Sequence, residues 1–104
     1  MYARHVSFNL KPNQREELLP TFEREIMPLL QKQNGFTDEI TLVSPDNKNG
    51  IAISLWERKE NADAYNREIY PQVLKSLAKV VDGTPEVRGY EVAFSTIHKT
   101  ATTR

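Results

Sequence analysis

Residues 53–65 read ISLWERKENADAY, and a change of period inside this stretch decides the fold. ISLW closes the apolar run that begins at Ile51, and it ends on the only tryptophan of the chain. Polar residues follow at once. Ala62, Tyr65, Ile69, Val73, Leu77 and Val80 then recur at helical spacing. A short run rich in branched residues reads as a strand, and a stripe at three and four residues reads as an amphipathic helix. The tryptophan therefore stands where a strand gives way to a helix that folds back over the sheet. Glu60 and Asp63 suit the positive end of that helix. Pro71 is expected to divide it and to open its second segment.

The same reasoning extends in both directions. Upstream, Phe36 to Val43 reads as a strand, and SPDNKNG at 44–50 is rich enough in turn formers to join it to Ile51–Trp56 as a wide hairpin. Residues 2–9, YARHVSFN, alternate: Tyr2, Arg4, Val6 and Phe8 share one face, and Ala3, His5, Ser7 and Asn9 the other. KPN at 11–13 closes this strand, and Asn13 is placed to cap a helix. Leu18, Phe22, Ile26, Leu29 and Leu30 mark that helix, with kinks expected at Pro20 and Pro28. Asn34-Gly35 stops it. Downstream, DGTPE at 82–86 reads as a turn and Val87 to about His98 as a long last strand. KTATTR at 99–104 is expected to fray.

The element order is β-α-β-β-α-β over one domain, residues 1–104. It predicts an α+β ferredoxin-like sandwich, a four-stranded antiparallel sheet with two helices on one face. The opposite face is then open. Val92 and Phe94 on one side of the last strand, with Ala93 and Ile97 on the other, give both faces apolar residues. An open apolar sheet face asks for a partner, and a second copy meeting it sheet to sheet supplies one.

Composition narrows the function classes. Fourteen Lys and Arg balance fourteen Asp and Glu, which argues against a general attraction to nucleic acid or anionic membrane. There is no cysteine, so disulfides, thiolate nucleophiles and iron–sulfur clusters are excluded. No segment approaches membrane-spanning length, and MYARHVSFNLKP does not read as a secretory signal. A cytoplasmic protein is expected. No acidic or histidine spacing suggests a metal site.

Five stretches together, KPN, PLLQKQ, NGF, SLWERKENADAY and EVRGYEV, resemble the antibiotic-biosynthesis-monooxygenase domain of the dimeric α/β-barrel superfamily. The resemblance implies a pocket between each sheet and its own helices, and a homodimer through the opposite sheet face. It also implies oxidation of an electron-rich ring by O2 without metal or flavin. On this basis the candidate catalytic residues are His5, Asn9 and Trp56, and the candidate pocket residues are Phe22, Ser54, Trp56 and Tyr65. Some members place a histidine nine or ten residues after the Trp. Tyr65 and Asn66 stand there in this chain, which disfavours haem, so no cofactor is expected.

The resemblance puts Trp56, with Ala52 and Ser54, under the helices. Apolarity alone favours Val6 with Phe8 and Ile53 with Leu55 in that place. The small side chains at 52 and 54 leave room either for a ligand or for the helix. The leading reading is a cofactor-independent monooxygenase-like enzyme acting on a small phenolic, quinol or polyketide-type metabolite. The alternative is a non-catalytic dimeric module that binds a small molecule or is purely structural. RNA binding, which the element order also allows, is set aside because IAISLW carries no charge.

Overall fold

Alternation in the first strand is carried directly into structure. In the computed structural model, which describes residues 1–97, Tyr2–Leu10 forms β1, and Arg4, Val6, Phe8 and Leu10 are buried. Phe36–Val43 forms β2, Asn49–Trp56 β3 and Val81–Glu91 β4. The sheet order is β2-β3-β1-β4, with every neighbouring pair antiparallel. All helical segments cover one face, as the ferredoxin-like sandwich requires.

Register resolves the competition between the two strand faces. Tyr2 pairs with Trp56, Arg4 with Ser54, Val6 with Ala52 and Phe8 with Gly50. Directly paired residues point to the same side of a sheet. Val6 and Phe8 therefore lie under the helices together with Trp56, Ser54 and Ala52. Ile53 and Leu55 project from the open face, so their expected grouping with Val6 and Phe8 is corrected.

Prolines divide both helical regions. The first consists of α1 (Arg15–Thr21), a π-helical turn (Phe22–Ile26) and α2 (Met27–Gln31). Pro20 lies within α1 and Pro28 in the first turn of α2. Neither can donate a backbone hydrogen bond. Between them the Met27 amide reaches back five residues to the Phe22 carbonyl, and the expected kinks take the form of a widened turn. The second region is α3 (Lys59–Glu68) and α4 (Tyr70–Leu77), separated at Ile69, with Pro71 in the first turn of α4. The cap position of α1 is Gln14; Asn13 instead takes a left-handed φ of 63°.

Leu18, Phe22, Ile26, Leu30, Tyr65, Val73 and Leu77 close over Phe8, Leu10 and Trp56 as one core. Gly35, at φ 80°, turns the chain into β2 and its carbonyl accepts the Glu57 amide at 2.8 Å. A Cβ there would overlap the Asn61 side chain.

The last strand departs from the sequence reading. β4 begins at Val81, and residues 82–86 lie within it rather than forming a turn between elements. The β1 register jumps from Ser7↔Glu86 to Asn9↔Asp82, so Gly83, Thr84 and Pro85 bulge out of the ladder. Gly83 supplies the φ of 78° this needs. The strand ends at Glu91, so Val92, Ala93, Phe94 and Ile97 do not form the alternating sheet face expected of them. His98 and 99–104 lie outside the described residues. The open face is instead built from Ile40 and Leu42 of β2, Ile51, Ile53 and Leu55 of β3, Ala3, His5 and Ser7 of β1, and Tyr90 of β4. Leu42 is 49% and Tyr90 51% exposed.

Candidate active site

One row of residues crosses the helix-facing side of the sheet. Glu39 on β2 pairs with Ser54 on β3, Ser54 with Arg4 on β1, and Arg4 with Gly89 on β4. Polar side chains here run against the apolar pattern around them. Arg4 is only 5% exposed. Its guanidinium lies 3.9 Å from the centre of the Tyr70 ring and 5.0 Å from that of Tyr65. One terminal nitrogen donates to the Asn66 side-chain oxygen at 2.7 Å. Its Nε is buried with no partner, and so is the Tyr70 hydroxyl.

Glu39 faces the same layer because β2 slips register between Phe36 and Asp38. Its carboxylate accepts the Thr41 hydroxyl at 3.0 Å. Burial pushes its pKa up to about 8, while the Thr41 hydroxyl and the Arg4 charge act in the opposite sense. Burial also raises the hydroxyls of Tyr65 and Tyr70, against the pull of Arg4. A carboxyl titrating near neutrality beside a buried cation is a pairing suited to proton transfer.

These groups line a cavity of about 30 Å³, closed from above by Phe22, Ile26, Leu30, Val73 and Leu77. That space suits about one or two waters. It is open to enlargement only by side-chain movement, since interiors of this kind are otherwise close-packed. Trp56 does not line it. The indole is fully buried, donates its N–H to Ser54 Oγ at 2.8 Å, and packs 5.1 Å from Tyr65 and 5.5 Å from Phe36, ring centre to ring centre. It is a wall behind the cavity that fixes Ser54.

The candidate residues divide accordingly. Phe22, Ser54 and Tyr65 meet at the cavity. His5 and Asn9 do not join Trp56 there, because odd positions of β1 project from the other sheet face. His5 sits edge-on to Tyr90 with ring centres 6.1 Å apart, and its Nδ1 is buried without a partner. Asn9 is exposed and accepts a hydrogen bond from the Asn49 side chain at 2.8 Å. Arg4 and Glu39 are not among the residues expected at the site, and Asn66 enters the sequence reading only as a position where some members carry histidine. Arg4 had a visible signal, a charge in the Tyr2–Val6–Phe8 register. Glu39 had none, since the bulge that aims it cannot be read from FTDEITLV.

At the two helix positions where an axial haem ligand is sought, burial raises the Tyr65 hydroxyl and the Asn66 side chain is engaged by Arg4, so neither offers an imidazole nitrogen. Among the described residues no group of three or more His, Asp or Glu side chains could hold a metal ion, and no helix is long and apolar enough to cross a membrane.

A single antiparallel sheet with its helices on one face is a ferredoxin-like α+β sandwich. Solved structures identify it further as the fold of the antibiotic-biosynthesis-monooxygenase domain. SnoaB, a cofactor-independent oxygenase from Streptomyces nogalater, superposes with a TM-score of 0.73 over 93% of this chain and 97% of its own, at 15% identity. The monooxygenase ActVA-Orf6 of Streptomyces coelicolor, in complex with nanaomycin D, gives 0.75 over 90% and 88% at 13% identity. A proposed antibiotic biosynthesis monooxygenase from Bordetella bronchiseptica gives 0.75 over 89% and 97% at 14% identity. No family model matches the sequence, and no curated protein is similar to it. At these identities the likeness speaks for the fold, and activity must be argued from the site.

Proposed function

We propose that this chain is a cofactor-independent monooxygenase-like enzyme acting on a small phenolic, quinol or polyketide-type metabolite. The observation that carries the reading is the Glu39–Ser54–Arg4 row, a set of convergent polar groups under an apolar roof. In this reading the ionised fraction of Glu39, which grows as pH rises toward about 8, takes the proton from a ring hydroxyl. The electron-rich phenolate then reduces O2 by one electron, and the two radicals combine to form a C–O bond. The peroxide anion so formed takes the proton back from Glu39, and loss of water from the hydroperoxide leaves a quinone. The chain's part is to hold the ring, accept the proton and keep bulk water away from the charged intermediate. Phe22 and Tyr65 flank the ring and Ser54, held by Trp56, aims a hydroxyl. His5 and Asn9 belong to the side of the sheet that meets a second copy, and the enzyme works as a homodimer through that face.

Oxygen consumption tests this. Anthrones and hydroquinones are supplied to the purified protein with a metal chelator present. Catalysed uptake that Glu39→Gln slows by roughly 10²-fold or more supports the assignment. Uptake no faster than in buffer for every substrate overturns it. The second reading, a non-catalytic dimeric module, is favoured by the size of the cavity, about 30 Å³ against the several hundred usual for a ligand site. Stable binding of such rings without turnover is its signature.

A further inference from the structure

Arg4 is a buried cation without a buried anion. None of the ion pairs among the described residues includes it, and each of those lies at the surface. Of its five N–H donors, one bonds Asn66, and the buried Nε has no acceptor. The faces of Tyr65 and Tyr70 offset part of the cost of burying this charge, and the buried Nε is left without an acceptor. A carboxylate stands nearby in Glu39, yet that group is held largely protonated at neutral pH. Buried charges are normally paired, and an orphaned donor at the edge of a guanidinium calls for an acceptor.

An open groove leads to this point from outside. It has a volume of about 430 Å³, runs between α3 and β4, and its charged lining residues are Arg4, Arg88 and Asp63, set among Tyr2, Ala62, Asn66, Tyr70, Val87 and Gly89. The internal cavity is lined by Arg4 and Tyr70 as well. These two side chains are therefore the partition between groove and cavity. Of the other charged lining residues, Asp63 is already paired with Lys59 at 2.9 Å and Arg88 with Glu86 at 3.4 Å, so Arg4 is the one among them without an ion pair. Gly89 keeps the floor low, since a Cβ there would overlap the Tyr2 hydroxyl.

We propose that Arg4 is an anion receptor, and that the α3–β4 groove takes a flat aromatic compound whose ionised oxygen occupies the free donor edge of Arg4. The ring lies along the groove against Tyr2, Ala62 and Val87. Drawing the guanidinium toward the anion loosens its stack on Tyr70, which opens the partition and joins groove to cavity in a space large enough for a ring. The inference deepens the site proposed above but does not depend on oxygen chemistry. The ionised oxygen is a carboxylate or a phenolate, which share this recognition.

The test is calorimetric titration under argon, with 2-naphthoate, its neutral amide of the same shape, and 2-naphthol below and above its ionisation. The wild-type protein is expected to bind the acid roughly tenfold or more tightly than the amide, and to melt at a higher temperature with the acid alone. Arg4→Met is expected to bring the acid down to the affinity of the amide. Tightening of naphthol on ionisation identifies phenolate as the source, and a preference confined to naphthoate identifies carboxylate. Equal affinities of acid and amide, no binding of any probe, or unchanged acid binding in Arg4→Met would overturn the proposal. Should Arg4→Met fail to fold, the wild-type comparison of acid with amide still decides. Because O2 is excluded, acid binding without later turnover sinks only the oxygenase reading. Turnover of neutral quinols without any preference for anions sinks only this one.

Discussion

Replacing Glu39 by Gln should change how stability depends on pH more than stability itself. Burial holds the carboxyl pKa at about 8 in the folded protein, against an ordinary 4.5. Between those values the folded state keeps a proton that the unfolded chain releases. Stability contributed by this group is therefore complete below about 4.5, falls as pH rises through the window, and is level again above about 8. Each unit of separation is worth about 1.4 kcal/mol, so the whole window caps the loss at roughly 5 kcal/mol. The side chain keeps some contact with solvent, and about 2–3 kcal/mol is the expected size. Gln preserves the shape and stays neutral throughout. Urea midpoints of both proteins, taken at one protein concentration from about pH 5 to about pH 8.5, give the comparison. The two should be nearly equal at the acid end, with the variant ahead by a few kcal/mol at the alkaline end. A wild-type-to-variant difference that does not vary with pH would refute the burial argument for Glu39, and with it the proton-acceptor role.

Other consequences are simpler to state. Trp56→Ala should cost about 3–5 kcal/mol in urea unfolding, because the ring is fully buried and sits behind the cavity rather than in it; a loss under about 1 kcal/mol would mean the layer is looser than described. Ser54→Ala leaves the buried indole N–H without an acceptor and should cost about 1–3 kcal/mol by the same assay. Gly83→Ala, strained only by its φ and with nothing within 4 Å, should cost about 1–2 kcal/mol. Gly35→Ala adds overlap with Asn61 to the same strain and should be worse by about 1–3 kcal/mol; equal effects would contradict the close approach. Ile53→Lys places a charge in the middle of the open face and should shift sedimentation from dimer to monomer, whereas an unaltered association constant would remove that face from the interface.

The fold was legible because its signals are local and redundant. Alternation in YARHVSFN, the helical stripe from Ala62 to Leu77 and the Asn-Gly stop each point to one element, and together they allow little besides this sandwich. The site was legible only where the resemblance reached it. Phe22, Ser54 and Tyr65 do line the cavity. His5 and Asn9 lie across the sheet from it, because they are odd positions of β1 and the even ones face the helices. The edges were misread for a physical reason. Gly83 and Pro85 look like punctuation, and in a strand with a neighbour on each side they would be. At a sheet edge a bulge absorbs both, so the strand starts several residues early and stops early as well.

That bulge also limits how copies of this chain can aggregate. A sheet grows when an exposed strand offers an unbroken row of amide and carbonyl groups to another chain. Here β4 is interrupted by three residues out of register and by a proline with no amide hydrogen, and β2 slips register near its start. Each border therefore offers a shortened template, broken at the start of β2 and over residues 83–85 of β4. Side-by-side growth, the route to fibres, is hindered at both margins, while the sheet face between them, with Ile40, Leu42, Ile53 and Tyr90, is left free. In the homodimer proposed above, face-to-face stacking would use that surface up in one event, without charge repulsion to stop it there.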